Sequence, residues 1–162
     1  MKPALLFYLA LLLFTLSCKE KTYIYEVNDL EVSPNNADKN KQKTEEQFIN
    51  ILYANLYQKA LSPNQLVDLS DLIRSIGDKR IAFETITAKM MSDSEVLELL
   101  PSPEEMRSDV ELFVIETYKR FLVRLPTEAE KTYFVNFIES HQNLKPEHIY
   151  FAFATCDEYY YY

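Results

Sequence analysis

Few side chains of this 162-residue chain belong to the types that perform nucleophilic catalysis or bind metals, since it has two cysteines and two histidines. Cys156 and His148 are eight residues apart. On one helix this spacing separates them by two turns, about 12 Å, which is too far for a base to activate a thiol. His141 and His148 fall on different predicted helices, and no cysteine lies near them in a zinc-binding spacing. We therefore predict a protein that is not an enzyme, with no catalytic residue, no metal ligand and no cofactor.

The composition excludes several classes of function. A net charge of −8, from 25 Asp and Glu against 17 Lys and Arg, disfavours nucleic acid as a partner, because phosphate binding needs concentrated basic residues. A single glycine leaves no glycine-rich loop for phosphate or dinucleotide binding. No pair of carboxylates stands out as an acid–base dyad, so a hydrolase would need an unrecognised site with shifted carboxylate pKa values.

The first 18 residues have the pattern of an export signal. Lys2 supplies a positive charge, residues 4–16 form an apolar run of 13 residues, and the small residue Ser17 precedes Cys18. A membrane-spanning helix needs about 20 apolar residues, whereas the apolar region of a signal peptide is shorter. We therefore predict that residues 1–17 are a signal peptide.

The run Thr15-Leu16-Ser17-Cys18 resembles the lipobox of bacterial lipoproteins, in the looser form used by some Gram-negative groups. The resemblance implies that a diacylglycerol is attached to the sulfur of Cys18, that cleavage makes Cys18 the mature N-terminus, and that its amine is acylated. Two or three such chains anchor a protein firmly, since each buried CH₂ contributes about 0.8 kcal/mol. Lys19 stands where an inner-membrane retention signal has Asp, which favours the outer membrane and leaves the leaflet open. The alternative to lipidation is an ordinary cleaved signal peptide with a coincidental cysteine at position 18.

Residues 18–44 form the predicted lipidated N-terminus and flexible tether. From Ser33 onward Asn, Asp, Lys, Pro and Ser predominate without an apolar period, which is the composition of a linker. Tyr23 and Tyr25 lie in a β-branched and aromatic stretch that could be strand-like. This stretch either packs on the domain as a short extended segment or adds a strand to the sheet edge of a partner. In the second alternative Tyr23 and Tyr25 are partner-binding residues.

Helix-start signals recur from Thr44 to the C-terminus. Four Ser or Thr residues stand three positions before Gln or Glu, in the spacing of a capping box. Each start is followed by apolar residues at the helical period of 3.6. We predict an all-α fold in which two tandem three-helix units, residues 45–100 and 101–162, form a helical bundle. The capping pairs are Thr44 with Gln47, Ser62 with Gln65, Ser102 with Glu105, and Thr127 with Glu130.

The two units align as copies of one another. A shift of 65 positions carries the cap Ser62 onto the cap Thr127 and, after a two-residue gap, a shift of 63 carries Glu95 onto Glu158. A register that keeps caps, breaks and apolar positions together is hard to obtain by chance. We therefore predict an internal duplication.

The run YKRFLVRLPT at residues 118–127 is similar to the "Y…LGR-x-P-T" signature of phycobilisome-linker-like helical domains. The resemblance covers residues 110–160 and implies a compact helical adaptor without a shared active site. Val123 replaces the family glycine, and Lys145 replaces a capping Thr. Further matches are the aromatic pair Tyr133 and Phe134, the "LTPE" turn at residues 144–147 and the closing "S-x-E-Y" at residues 157–159.

Four tyrosines, Tyr159, Tyr160, Tyr161 and Tyr162, stand at the end of the sequence. They cannot all face one interior on a regular element, so at least two should be exposed or buried by something else. Tyrosine is enriched at interfaces because it combines a large area, a hydroxyl and little rotamer entropy. The alternatives are a partner contact through these four residues and a frayed tail.

Together these features predict a non-enzymatic outer-membrane lipoprotein that is an accessory or scaffold subunit of an envelope protein complex. The complex would serve transport, secretion or outer-membrane protein insertion. The predicted partners are subunits of that complex and, through the acyl chains on Cys18, the lipid bilayer. The alternative is a glycan- or peptidoglycan-binding lipoprotein whose exposed tyrosines stack on sugar rings.

Overall fold

The computed structural model of the protein describes residues 39–161. These residues form eight α-helices and a 3-10 turn, and Gln42 pairs with Tyr161 in an isolated β-bridge. The all-α prediction is therefore confirmed. Within this range no helix is long and apolar enough to cross a membrane. In chain order the elements are α1 (Glu45–Tyr57), α2 (Pro63–Ile76), α3 (Lys79–Met91), α4 (Ser94–Leu99), α5 (Pro103–Ser108), α6 (Val110–Leu122), α7 (Glu128–Ser140), α8 (Pro146–Ala154) and the 3-10 turn (Asp157–Tyr160).

All four predicted capping boxes are present, and each begins a helix. At α1 the Thr44 hydroxyl accepts a hydrogen bond from Gln47 N at 3.2 Å, and the Gln47 side chain accepts one from Thr44 N at 2.9 Å. These bonds satisfy amide groups that the first helical turn leaves without a partner. Pro63 and Pro103 open α2 and α5, at positions where no amide is needed.

The apolar pattern that follows Ser102 spans two helices, α5 and α6. Asp109 has φ −151° and ψ 83°, outside the helical region, and its carboxylate accepts a hydrogen bond from Leu112 N at 2.9 Å. Asp109 caps α6, because a short polar side chain competes with the helical backbone for hydrogen bonds. The apolar pattern continues through the break, since Met106 and Phe113 are both buried. Periodicity alone therefore does not reveal the division.

One buried apolar cluster takes side chains from both predicted units. The rings of Phe48 and Phe83 stack with centroids 3.9 Å apart, and Tyr160 stacks on both, at 5.6 and 5.7 Å. In the second half Tyr118 packs edge-on against Phe153 at 4.9 Å. The two halves therefore share a core, and the last residues of the chain are part of it.

The shift of 65 positions also relates the observed helices. α1 and α6 correspond residue for residue. Each is followed by a residue in the left-handed region, Gln58 with φ 54° and Val123 with φ 53°, which are the non-glycine residues of positive φ in the described range. Arg120 Nε donates a hydrogen bond at 2.8 Å to the carbonyl oxygen of Asn55, the residue 65 positions earlier. The two halves thus contact each other through positions that this shift relates.

Residues 39–43, the end of the predicted tether, pack against the C-terminal residues. Lys43 N donates to Tyr160 O at 2.9 Å, and Gln42 pairs with Tyr161 in the β-bridge. Lys43 is only 7% exposed. The prediction of a flexible tether is corrected for this lysine segment (residues 39–43), because backbone hydrogen bonds hold a stretch whose composition is that of a linker. Residues 18–38 lie outside the described part of the chain.

Candidate functional site at the C-terminal tyrosines

Tyr159 is the first residue of the tyrosine segment (residues 159–161) and is fully buried. Its ring packs edge-on against Phe48, with centroids 5.7 Å apart, and its hydroxyl accepts a hydrogen bond from Asn55 Nδ2 at 3.0 Å. A buried phenol needs such a partner, because an unpaired polar group in the core is costly. Burial also raises the pKa of the Tyr159 hydroxyl. Through these contacts with Phe48 and Asn55, Tyr159 packs the C-terminal segment against the first half of the molecule.

The other tail tyrosines differ in exposure. Tyr160 is 8% exposed, whereas Tyr161 is 38% exposed. The predicted partner contact is therefore corrected for Tyr159 and Tyr160, because the core covers their rings. The frayed-tail alternative fails for them for the same reason. Tyr161 keeps surface that a partner could contact, and Tyr162 lies outside the described residues.

Lys43 joins the lysine segment to the tyrosine segment. Its Nζ donates to Tyr159 O and lies 4.1 Å from the centre of the Tyr159 ring. Burial and the nearby charge of Lys39 lower the pKa of Lys43 to about 8. A buried ammonium group retains its charge only with partners of this kind, a carbonyl oxygen and an aromatic face. Lys43 thus holds the lysine segment against the tyrosine segment.

Arg124 joins two carboxylates beside the tyrosine segment. This arginine is 7% exposed, and its guanidinium makes bidentate ion pairs with Glu130 and Glu158, at N···O distances of 2.7 to 3.0 Å. Lys39 Nζ adds an ion pair to Glu158 at 3.0 Å. The guanidinium carbon also lies 5.0 Å from the centre of the Tyr118 ring. We call the four charged residues the Arg124 cluster (Arg124, Glu130, Glu158 and Lys39).

The Arg124 cluster keeps both carboxylates ionised. Hydrogen bonds from Arg124, supported by Thr127, lower the pKa of Glu130 to about 2 despite its partial burial. Burial alone would raise the pKa of Glu158, but hydrogen bonds from Arg124 and Lys39 outweigh it, and the pKa is lowered. A general acid or base needs a pKa near the working pH, and these shifts run in the opposite direction. The arrangement suits a structural ion-pair network.

A cavity of about 230 Å³ opens beside the Arg124 cluster. The half-buried thiol of Cys156 lies in its wall. Burial raises the pKa of this thiol, which favours the protonated, weakly nucleophilic form. The other apolar residues that line this cavity are Tyr118, Leu122, Phe134, Ala152 and Phe153.

Both histidine side chains contact backbone atoms at the end of a helix. His141 is the residue that ends α7, and its Nδ1 lies 2.7 Å from Phe137 O. At the start of α8, His148 Nδ1 accepts a hydrogen bond from Lys145 N at 3.1 Å. Across residues 39–161 no group of three or more His, Cys, Asp and Glu side chains is placed to hold a metal ion.

A second surface feature, the junction groove, lies where the two halves meet. It is an open groove of about 550 Å³ between the end of α4 and the starts of α5 and α6. Leu99 and Leu112 lie in it and are 38% and 52% exposed. Exposed apolar surface that is concave and contiguous is typical of interaction sites. The remaining apolar lining residues are Leu100, Pro101, Met106, Phe113 and Tyr150.

Sequence reasoning missed Leu99 and Leu112, although a signal for Leu112 was present. Leu112 stands beside Phe113, off the apolar stripe that α6 needs for its own core contacts. A large apolar residue outside a complete stripe indicates either a broader buried face or an exposed contact surface. Periodicity alone does not separate these two cases.

The remaining predicted site residues, Cys18, Tyr23 and Tyr25, lie outside the described part of the chain. The candidate sites described above are the Arg124 cluster, the cavity beside it and the junction groove. Comparisons with protein-family models, with curated proteins and with solved structures give no match to this chain.

Proposed function

We propose that the protein is a non-enzymatic outer-membrane lipoprotein that serves as an accessory or scaffold subunit of an envelope protein complex. Acyl chains on Cys18 hold the helical body at the membrane, and the junction groove binds another subunit of the complex. The observation that carries this proposal is the exposure of Leu99 and Leu112 in one groove. Exposed leucines that line one groove are unfavourable in water until a partner covers them.

The rim of the junction groove indicates the chemistry of the partner. Glu105, Asp109 and Glu116 line the groove beside the two leucines, and none of the described lining residues is Lys or Arg. A partner segment with apolar residues flanked by Lys or Arg would bury the leucines and face the carboxylates. Such complementarity favours specificity and rapid association. We therefore assign the groove to a basic-flanked apolar segment of another subunit.

The stretch between the anchor and the helical body sets how far that body can move. Twenty residues separate Cys18 from Lys39. A stretch of that length reaches at most roughly 70 Å when fully extended. A body tethered in this way would stay close to membrane-embedded subunits, which raises its effective concentration for binding them.

Site-specific photo-crosslinking in membranes tests the proposal. A photoreactive residue at position 112 should crosslink to a subunit of an outer-membrane complex, through a peptide that combines apolar residues with Lys or Arg. The matched control is position 67 on α2, because Val67 is 58% exposed but does not line the groove. Equal crosslinking from both positions would contradict a specific groove.

A substitution gives the corresponding binding test. Leu112→Gln should abolish co-purification of the crosslinked subunit, whereas Val67→Gln should leave it unchanged. Both side chains are more than half exposed, so both variants should retain the wild-type helix content and thermal unfolding temperature. Undiminished co-purification with folded Leu112→Gln protein would overturn the proposed role of the groove.

A further inference from the structure

A cavity of about 440 Å³ lies between the lysine segment, the start of α3 and the tyrosine segment. Its aromatic lining residues are Phe83, Tyr160 and Tyr161. Its polar lining residues are Gln42, Lys79, Arg80 and Asp157. This polar–aromatic cavity falls within the range of about 300 to 1,000 Å³ that is usual for small-molecule sites.

The charges around the polar–aromatic cavity compensate one another. Arg80 Nε lies 3.2 Å from Glu84 Oε1, and Arg80 Nη1 lies 3.6 Å from Asp157 Oδ1. Lys79 Nζ lies 3.9 Å from Glu45 Oε1. A site for a free anion would present cations without such neighbours. The cavity instead offers hydrogen-bond donors and acceptors together, which suits a neutral ligand that carries many hydroxyl groups.

The aromatic side of the cavity provides a flat surface. Tyr161 lines the cavity and is 38% exposed. Tyr160 stacks on Phe83 with centroids 5.7 Å apart, which fixes the position of its ring. A rigid aromatic surface next to polar side chains contacts an apolar ring face while the polar groups bind its edge.

From these observations we infer that the polar–aromatic cavity binds a pyranose ring of an oligosaccharide. The weakly polar C–H face of the sugar packs on Tyr161, and its hydroxyl groups bond to Gln42, Arg80 and Asp157. This inference goes beyond the adaptor role and uses a surface separate from the junction groove. The sugar could belong to an amino-sugar polymer or to a neutral glucan, and the binding test distinguishes these sources.

The hydroxyl of Tyr160 gives the inference a sharper test. This oxygen is buried and has no hydrogen-bond partner among the described residues, and the charges of Glu84 and Arg80 act on it. Removing an unpartnered buried hydroxyl should leave stability unchanged or higher. If a sugar hydroxyl bonds to it when the ligand enters, Tyr160→Phe should weaken sugar binding without weakening the fold.

The experiment is calorimetric titration of the full-length protein, purified in a detergent without a sugar headgroup, with chitotetraose and with maltotetraose. We expect Tyr161→Ala to raise the Kd roughly tenfold and Tyr160→Phe to raise it roughly threefold, as single aromatic and hydroxyl contacts do. Tyr133→Ala is the matched control, because Tyr133 is 62% exposed and does not line this cavity. Circular dichroism verifies that each variant is folded.

Each outcome of the titration bears on the inference. Binding of chitotetraose that depends on Tyr161 supports it and indicates an amino-sugar polymer, whereas the same result with maltotetraose supports it and indicates a glucan. Absence of binding heat for both sugars at millimolar concentration would overturn it. Binding of inorganic phosphate without either sugar, or equal losses from Tyr161→Ala and Tyr133→Ala, would also overturn it.

Discussion

Equivalent ion pairs occur in the two halves of the molecule, but only one of them is buried. In the first half Lys59 pairs with Glu95, and the two side chains are 48% and 49% exposed. In the second half Arg124 pairs with Glu158, and the side chains are 8% and 30% exposed. The shifts of 65 and 63 positions relate these two pairs. The second pair has an additional carboxylate, Glu130, where the first half has Gln65.

The comparison indicates that ion pairs at equivalent positions of the two halves contribute differently to stability. Arginine binds two carboxylates through a planar fork, whereas lysine is a point charge on a flexible stem. Exposed pairs contribute little, because solvent screens them and ordering the side chains costs entropy. A buried network is different, since removing one member leaves charge without compensation. Of these two equivalent ion pairs, only the one in the second half is therefore part of a buried network.

The largest effect is expected from removing the buried arginine. Arg124→Ala should lower the free energy of unfolding by roughly 3 kcal/mol, because it leaves Glu130 and Glu158 near each other without their shared partner. Arg124→Lys should lie between wild type and Arg124→Ala, since it keeps the charge but loses the bidentate geometry. Urea unfolding at pH 7 measures both.

Lys59→Ala is the matched control for this substitution. It removes the equivalent cation of the first half, and we expect no measurable change in the urea midpoint, because the pair with Glu95 is exposed. Equal losses from Lys59→Ala and Arg124→Ala would contradict the contrast between the halves.

A pH dependence separates the halves further. The pKa of Glu130 is lowered from 4.5 to about 2 in the folded protein, so its contribution is fully present above pH 4.5 and is lost as the pH falls toward 2. Glu130→Gln copies Gln65 of the first half and removes this titration. The stability difference between wild type and Glu130→Gln should therefore shrink as the pH is lowered from 5 to about 2.

Glu105→Gln serves as the comparison in the acid series. Glu105 occupies the same position in its capping box but is bonded to Ser102 without an arginine. Its substitution should change the acid dependence much less than Glu130→Gln does. A Glu130→Gln variant whose stability follows wild type in parallel from pH 5 to 2 would show that the Arg124 cluster does not hold Glu130 ionised.

The smallest effect concerns the left-handed residues after α1 and α6. Val123→Gly should raise the unfolding free energy by about 1 kcal/mol, because a β-branched residue is strained at positive φ. Gln58→Gly should gain less, about 0.5 kcal/mol, since an unbranched side chain tolerates this conformation better. Thermal unfolding of both variants checks the order, and a loss of stability in Val123→Gly would contradict the strain.

The helices could be predicted from the sequence because their signals are local. Ser62 and Gln65 are three residues apart, and the cap they form depends on nothing distant. The Arg124 cluster could not be predicted, since Arg124 and Glu158 are 34 residues apart. The sequence pattern explains Glu130 as the capping residue of α7. It contains no further signal that Glu130 also belongs to a buried ion-pair network. Which cations become buried depends on packing that periodicity does not contain.

The tail shows the same limit. Four tyrosines on one short segment suggest exposure, yet α8 ends at Ala154 and the following 3-10 turn carries Tyr159 and Tyr160 into the core. The lysine segment covers this turn, although its composition is that of a linker. The composition of a segment indicates whether it would fold by itself. Whether its side chains are buried depends on contacts with segments that are distant in the sequence.

The most direct test of a membrane-held adaptor is intact mass spectrometry, with N-terminal fragmentation, of the protein extracted from outer membranes. We expect a mature chain that begins at Cys18, with diacylglycerol on the sulfur and a fatty acid on the amine. A mature protein that begins at another residue, or one that carries an unmodified thiol at position 18, would contradict the proposed anchoring.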